Sequence, residues 1–167
     1  YRYRLYRYKQ VEKELTSRVV KQTQALQEQA SAFAYQATHD QLTDLPNRRA
    51  FDGWLADNFT DFKARNTPLA IAIMDIDHFK RINDGWSHLI GDQVICEVAN
   101  ILKAHCEGEQ EVARWGGEEF TFVFPDMNTV QAQQLCEQLR KEIENNDFSS
   151  IAQGLSVTVS FGVSDSD

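Results

Sequence analysis

Three shortages frame this sequence. No run of about 18 apolar residues occurs. The longest candidate is the eight residues Leu69 to Ile76, with Asp75 among them, so no membrane span is expected and the segment reads as soluble. Cysteine is scarce: Cys96, Cys106 and Cys136 are odd in number, form no CxxC pair and lie in helix-like stretches. They read as small apolar side chains in a reducing compartment, with the cytosol as default, in preference to a zinc site or a disulfide framework. Basic residues are short as well, since 17 Lys and Arg face 25 Asp and Glu for a net charge of −8.

That charge is unevenly spread. Residues 1–21 hold seven basics and two acids, or +5, which leaves −13 on residues 22–167. So acidic a body repels the phosphates of a nucleic-acid polymer, whose binding depends on Lys and Arg. If it binds phosphate, a metal must mediate. Length and composition are those of one globular domain with an appendage: 167 residues, 42% hydrophobic, 25% charged and 11% aromatic. The sequence starts at Tyr1 and stops at Asp167 just after an apolar strand pattern, so both ends read as cut from something larger.

Neither Gly nor Pro occurs from Leu5 to Thr38, where Gln, Glu, Lys, Ala and Leu predict one long helix. A heptad seam through it pairs six apolar or aromatic residues (Leu5, Tyr8, Leu15, Val19, Leu26, Phe33) with four polar ones (Glu12, Gln22, Gln29, Gln36). A lone surface helix is one reading. A parallel dimer stalk over residues 1–38 is favoured, because so long a helix is hard to bury in one small domain. The opening Tyr1 to Lys9 interleaves aromatics with basics, as do juxtamembrane cytoplasmic segments and also solvated basic helix ends. The junction from His39 to Arg48 follows, with Pro46 disfavouring helix at Leu45 and Asn47 able to cap a helix over Arg48 to Asn58.

Residues 39–167 read as alternating elements. Leu69 to Ile76 suits a buried central strand. Helical patterns follow over His78–Ile82 and Asp92–Cys106, with Asp92 as N-cap of the second. Glu111–Trp115 and Glu118–Phe124 are strands around a Gly116-Gly117 hairpin loop. Asn128 to Gln131 resembles a capping box before the helix Thr129–Asn145, and Leu155–Val163 is a last strand. This order predicts an α+β, ferredoxin-like or polymerase-palm-like, antiparallel-containing sheet with helices on one face.

Chemistry concentrates in two places. Arg114-Trp115-Gly116-Gly117-Glu118-Glu119-Phe120 sets two carboxylates after a double glycine, where backbone can approach a ligand; a plain turn followed by solvated acids explains the string equally well. Met74-Asp75-Ile76-Asp77 decides between them. An ionised carboxylate closing an apolar strand is costly without a partner, and beside the hairpin Asp75 and Glu118 would converge on one cation. Oxygen-only ligands suit Mg²⁺ or Mn²⁺. Asp77 reads as the N-cap of the helix that carries Phe79 and Lys80, and that helix start could hold a phosphate.

The strings from Asp40 to Arg49, from Asp75 to Asp84 with His88, Gly91 and Asp92, and from Arg114 to Phe120 resemble the GGDEF family of diguanylate cyclases. The resemblance runs from about Asp40 to Gly162 and rests on three ordered motifs. It implies condensation of two GTP into cyclic di-GMP in a homodimer, with Asp75, Glu118 and the Ile76 carbonyl as metal ligands. By the same resemblance Glu118, Glu119 and Asp75 would carry the catalysis, Glu119 as a support or proton acceptor. It also implies that Asn83 and Asp92 read guanine, that Phe79 and Lys80 receive the triphosphate, and that His88, Gly116 and Gly117 border the substrate. An upstream sensor, membrane-embedded or not, is expected before Tyr1, with this part in the cytoplasm. The alternative is a catalytically silent domain that senses GTP or transmits dimer state; an adenylyl-type cyclase is disfavoured by Asn83 and Asp92.

Three departures from the family pattern stand out. Ser87 replaces a usual glycine, which could shift a positive-φ turn to Gly85. The family's inhibitory Arg-x-x-Asp falls on Glu107 and Gln110, so no product inhibition through that site is expected. A later segment whose Lys and Arg contact phosphates is expected beyond Asp167.

Overall fold

The computed structural model describes residues 2–106 and 111–165. Its elements are α1 (Arg2–Thr38), α2 (Arg48–Arg65), β1 (Leu69–Ile76), α3 (Phe79–Gly85), α4 (His88–His105), β2 (Glu111–Gly116), β3 (Glu119–Pro125), α5 (Thr129–Asn145), a 3₁₀ turn (Phe148–Ser150) and β4 (Val159–Asp165). Two compact units result, Tyr1–Ala37 and Thr38–Asp167. In the first, the helix displays Leu15, Val19, Leu26 and Phe33 with 54–71% of their surface exposed. Among the described residues, no helix is long and apolar enough to cross a membrane.

The second unit is an α+β sandwich on a four-stranded antiparallel sheet in the order β2-β3-β1-β4. Strand alternation sorts the side chains. Ala70, Ala72, Met74 and Ile76 on β1 join Phe120, Phe122 and Phe124 on β3 in the main core, under Val94, Val98 and Leu102 of α4 and Leu139 and Ile143 of α5. Each fully buried aliphatic or aromatic side chain here stabilises the fold by roughly 1.5–3 kcal/mol. Cys136 lies in this core, and burial pushes its thiol up to about 12.

Helices lie on both faces of the sheet, not one. Phe51 on α2 forms a second, smaller core with Leu69, Ala113 and Val123, packed by Trp54, Phe62, Ile71 and Trp115. α2 covers one end of that face only, and at the other end Ile73 is 45% exposed and Asp75 is exposed too. β1 is therefore a half-covered strand and not one buried on both sides.

Several boundaries follow the sequence signals and others do not. Asn47 caps α2 by accepting from the Ala50 N–H at 3.1 Å, and Asn128 and Gln131 close the capping box of α5. α2 runs past Asn58 to Arg65, since the Asn58 amide donates back to the Trp54 carbonyl within the helix. The stop comes at Asn66, left-handed at φ 53°, two residues before Pro68. Asp92 does not cap α4. That helix begins a turn earlier, where the Ser87 hydroxyl accepts from the Ile90 N–H, so Asp92 stands inside it. Ser87 has extended backbone at φ 170° and Gly85 is not at positive φ, so exchanging glycine for serine here shifts no left-handed residue.

α3 starts at Phe79 after a left-handed His78, and Asp77 is no cap: its carboxylate accepts from the Thr158 and Ser160 hydroxyls at 2.8 and 2.7 Å. β4 starts at Val159 and not at Leu155. β1 ends at Ile76, opposite Val159, so the preceding residues have no partner strand, and the Asp77 N–H to the Thr158 carbonyl is the closing contact.

Candidate active site

The hairpin turn consists of Gly117 and Glu118, one residue later than the glycine pair suggests. Arg114 pairs with Phe120 and Gly116 with Glu119, so Trp115 is an extra residue that bulges from β2 and advances the register. Gly117, at φ 53°, takes the left-handed conformation that glycine adopts without cost. Glu118 is thus a turn residue, and its carbonyl accepts from the Ile76 N–H at 3.4 Å across from β1.

Glu119 is the direct cross-strand partner of Asp75, on the open end of the face that α2 leaves uncovered. Partial desolvation raises the Asp75 carboxyl above its ordinary range first, and the charges of Glu118, Glu119 and Asp77 add to the shift. Asp75 is exposed, and four acids close together mark this corner. Like charges so gathered favour a cation. Among the described residues no three His, Cys, Asp or Glu side chains form a ready metal cage. Two carboxylates nonetheless fit Mg²⁺, which typically binds through one or two of them and takes its remaining oxygens from water and substrate phosphates.

Immediately beyond stand α3 and α4, in mutual contact. Asn83 is half-buried, and its Oδ1 is a buried acceptor with no hydrogen-bond partner. Buried polar atoms are nearly always paired, so a free acceptor here suits a donor from outside the chain. Gly91 forms the wall next to it: a Cβ there would stand 2.0 Å from Asn83 Oδ1 and 3.0 Å from the Phe79 ring. Asp92, the next residue, is exposed, as are Lys80 on α3 and His88 at the start of α4, whereas Phe79 is buried. Gly116 and Gly117 are exposed at the hairpin tip. Glu107 and Gln110 lie outside the described residues.

Sequence reasoning left Asp40 and Arg114 without roles, although both sit in the quoted motifs. The structure pairs them at 2.8 Å, and Arg114 also binds the Gly117 carbonyl. Burial raises the Asp40 carboxyl, but the Arg114 guanidinium and the Thr43 N–H and hydroxyl outweigh it and hold the carboxyl below its usual range. Their separation of 74 residues left no local signal to read.

These features agree with what comparison finds. Residues 37–167 match the family model described as "Diguanylate cyclase, GGDEF domain". The chain is 40% identical over 141 residues to "Diguanylate cyclase VdcA" of Vibrio cholerae, covering 83% of this chain and 40% of that protein. It is 40% identical over 128 residues to "Probable diguanylate cyclase DgcT" of Escherichia coli, covering 75% of this chain and 28% of that one. The chain thus spans well under half the length of these relatives. Among solved structures, the coiled coil and GGDEF domain of DgcB from Caulobacter crescentus, in complex with c-di-GMP, superimposes with a TM-score of 0.82 at 32% identity, over 92% of this chain and 83% of that one. The active GGEEF domain of a diguanylate cyclase from Vibrio cholerae gives 0.69 at 32% identity, over 74% and 78%. The chain belongs to the GGDEF diguanylate cyclase family, whose cyclases generally depend on a divalent metal.

Proposed function

We propose that this chain carries the catalytic domain of a diguanylate cyclase, residues 39–167, behind a dimerising stalk, residues 1–38. The reaction joins two GTP into cyclic di-GMP and releases two pyrophosphates. The observation that carries the reading is the gathering of Asp75, Glu118 and Glu119 at one corner, just ahead of the helix pair where Asn83 Oδ1 lacks a donor.

In this reading guanine lies between α3 and α4. Asn83 Oδ1 accepts an N–H from the base, and the Asp92 carboxylate accepts from N1–H and N2–H₂, a donor pair that adenine lacks. Phe79 and Lys80 place the triphosphate, with His88, Gly116 and Gly117 along its border. Asp75, Glu118 and the Ile76 carbonyl would hold Mg²⁺ or Mn²⁺, which would neutralise phosphate charge and ease deprotonation of the attacking hydroxyl. Glu119 supports the carboxylate corner or takes the proton of the ribose 3′-hydroxyl. The bond that forms joins that O3′ to the α-phosphorus of the opposite GTP. The bond that breaks joins the α-phosphorus to the bridging oxygen of the departing pyrophosphate.

One domain holds one GTP, and the product has two equivalent phosphodiesters, so two chains face each other about a two-fold axis. The exposed Leu15, Val19, Leu26 and Phe33 on α1 are the seam that such a pair would bury. A sensor preceding the stalk would set the pairing, with this part in the cytoplasm and no nucleic-acid polymer as partner. The absence of the inhibitory Arg-x-x-Asp at Glu107 and Gln110 predicts no product inhibition through that site.

Incubating the full-length protein with GTP and Mg²⁺ tests the reading. Cyclic di-GMP should form and should vanish in Glu118→Ala. Tight GTP binding with no product from the unmodified protein would favour a silent GTP sensor instead.

A further inference from the structure

The bulge at Trp115 creates a mechanical problem. Ladder pairing jumps from Arg114 to Gly116, and although the Glu118 carbonyl accepts from the Ile76 N–H at 3.4 Å, the Gly117–Glu118 peptide itself lies outside the strand ladders. A side chain takes over. Arg114 aims Nε and Nη2 at the Gly117 carbonyl oxygen, at 3.0 and 2.8 Å, and this carbonyl belongs to the peptide whose nitrogen is that of Glu118. Two donors converging on one oxygen orient that peptide plane.

The same guanidinium gives its remaining arm to Asp40 Oδ1 at 2.8 Å, from the junction loop. Asp40 is itself immobilised: Oδ1 also accepts from the Leu42 N–H, the Thr43 N–H and the Thr43 hydroxyl at 3.2, 2.9 and 2.8 Å. The loop in turn is tied to α4, through Cys96 Sγ on the Leu42 carbonyl at 3.3 Å and Lys103 Nζ on the Thr43 carbonyl at 2.8 Å. The ion pair is sheltered, with 13% of the Arg114 side chain and 25% of the Asp40 side chain exposed.

We infer that Asp40 is a positioning residue for the carboxylate corner: through Arg114 it fixes the Gly117–Glu118 peptide and thereby sets where the Glu118 carboxylate stands relative to Asp75. The inference rests on the proposed role of Glu118 and adds the residue that holds it in place. Arg114 suits the task because its planar fork serves an acid and a carbonyl at once, which a lysine ammonium cannot do with the same geometry. A misplacement of about 1 Å in such a site costs up to about a hundredfold in rate, so a tether of this kind is visible in kinetics.

Asp40→Asn in the full-length protein strips the charge from the link. The amide oxygen can still accept from Leu42, Thr43 and Arg114, so the loop turn survives while the ion pair with Arg114 becomes a weaker, neutral hydrogen bond. kcat for GTP should fall about tenfold or more. KM for GTP should stay within about threefold, and the thermal midpoint within about 3 °C. Mn²⁺ affinity, read by electron paramagnetic resonance with a non-reacting GTP analogue, should weaken about fivefold, since Glu118 is displaced. Arg114→Lys should reproduce these losses with the loop acid intact, and the double variant should be no worse than Arg114→Lys alone. Unchanged kcat and Mn²⁺ affinity in Asp40→Asn would overturn the inference, as would single losses that multiply in the double variant or that merely track a fallen midpoint. A wild-type protein that makes no cyclic di-GMP defeats the proposed function instead, and the Mn²⁺ titration still decides the positioning.

Discussion

The two faces of the sheet use the same strands for opposite purposes. On the face under α4 and α5, Met74, Phe120 and Phe122 are completely buried. One residue along each strand, on the other face, Asp75 and Glu119 sit opposite each other, close to Glu118 and uncovered by α2. The first arrangement spends no charge and contributes stability. The second concentrates charge of one sign and opposes folding until something positive arrives. Strand alternation lets one sequence segment do both, with a single-residue step between them.

That contrast can be broken from either side. Glu118→Ala should remove at least about a hundredfold of cyclase activity while leaving the unfolding midpoint near wild type, because the side chain supports no core. Phe122→Ala should do the reverse to the fold, costing about 3–5 kcal/mol in chemical denaturation. Gly91→Ala lies between, since its Cβ would meet Asn83 Oδ1 at 2.0 Å. Calorimetric titration should show GTP affinity reduced about tenfold or more, with a stability cost of about 1–3 kcal/mol.

Asp75→Asn should leave the metal-free protein as stable as wild type or up to about 1 kcal/mol more so, although the enzyme is lost. The sign follows from the raised Asp75 carboxyl: ionisation is disfavoured in the folded state, so removing the charge relieves strain at neutral pH. Asp40 runs the other way. Its lowered pKa means that its contribution to stability is full above the ordinary carboxylate value of 3.8 and is lost as pH falls through the lower folded value. Acid unfolding of Asp40→Asn should therefore show a shallower dependence on pH in that range than wild type, a smaller effect than the others.

Much of this was readable in advance where the signal is local. Asn47, and Asn128 with Gln131, announce their helices because a cap is settled by neighbours three residues away. The motif strings marked the acids of the corner for the same reason. What escaped reading depends on pairing between distant segments. The Trp115 bulge moved the turn by one residue, and nothing in Arg114 to Phe120 says which residue the opposite strand will skip. Asp77 looked like a cap, yet hydroxyls 81 and 83 positions away claimed its carboxylate. The link from Asp40 to the hairpin is of this distant kind too. Ser87 is the exception, a local signal passed over in favour of Asp92, since its hydroxyl accepts from the Ile90 N–H three residues on.

Anomalous scattering from crystals of the full-length protein grown with Mn²⁺ and a non-reacting GTP analogue addresses the central claim directly. The account predicts a Mn²⁺ peak within coordination distance of carboxylate oxygens of both Asp75 and Glu118, with the base between α3 and α4. A peak that contacts neither acid, or nucleotide bound away from Asn83 and Asp92, would contradict it.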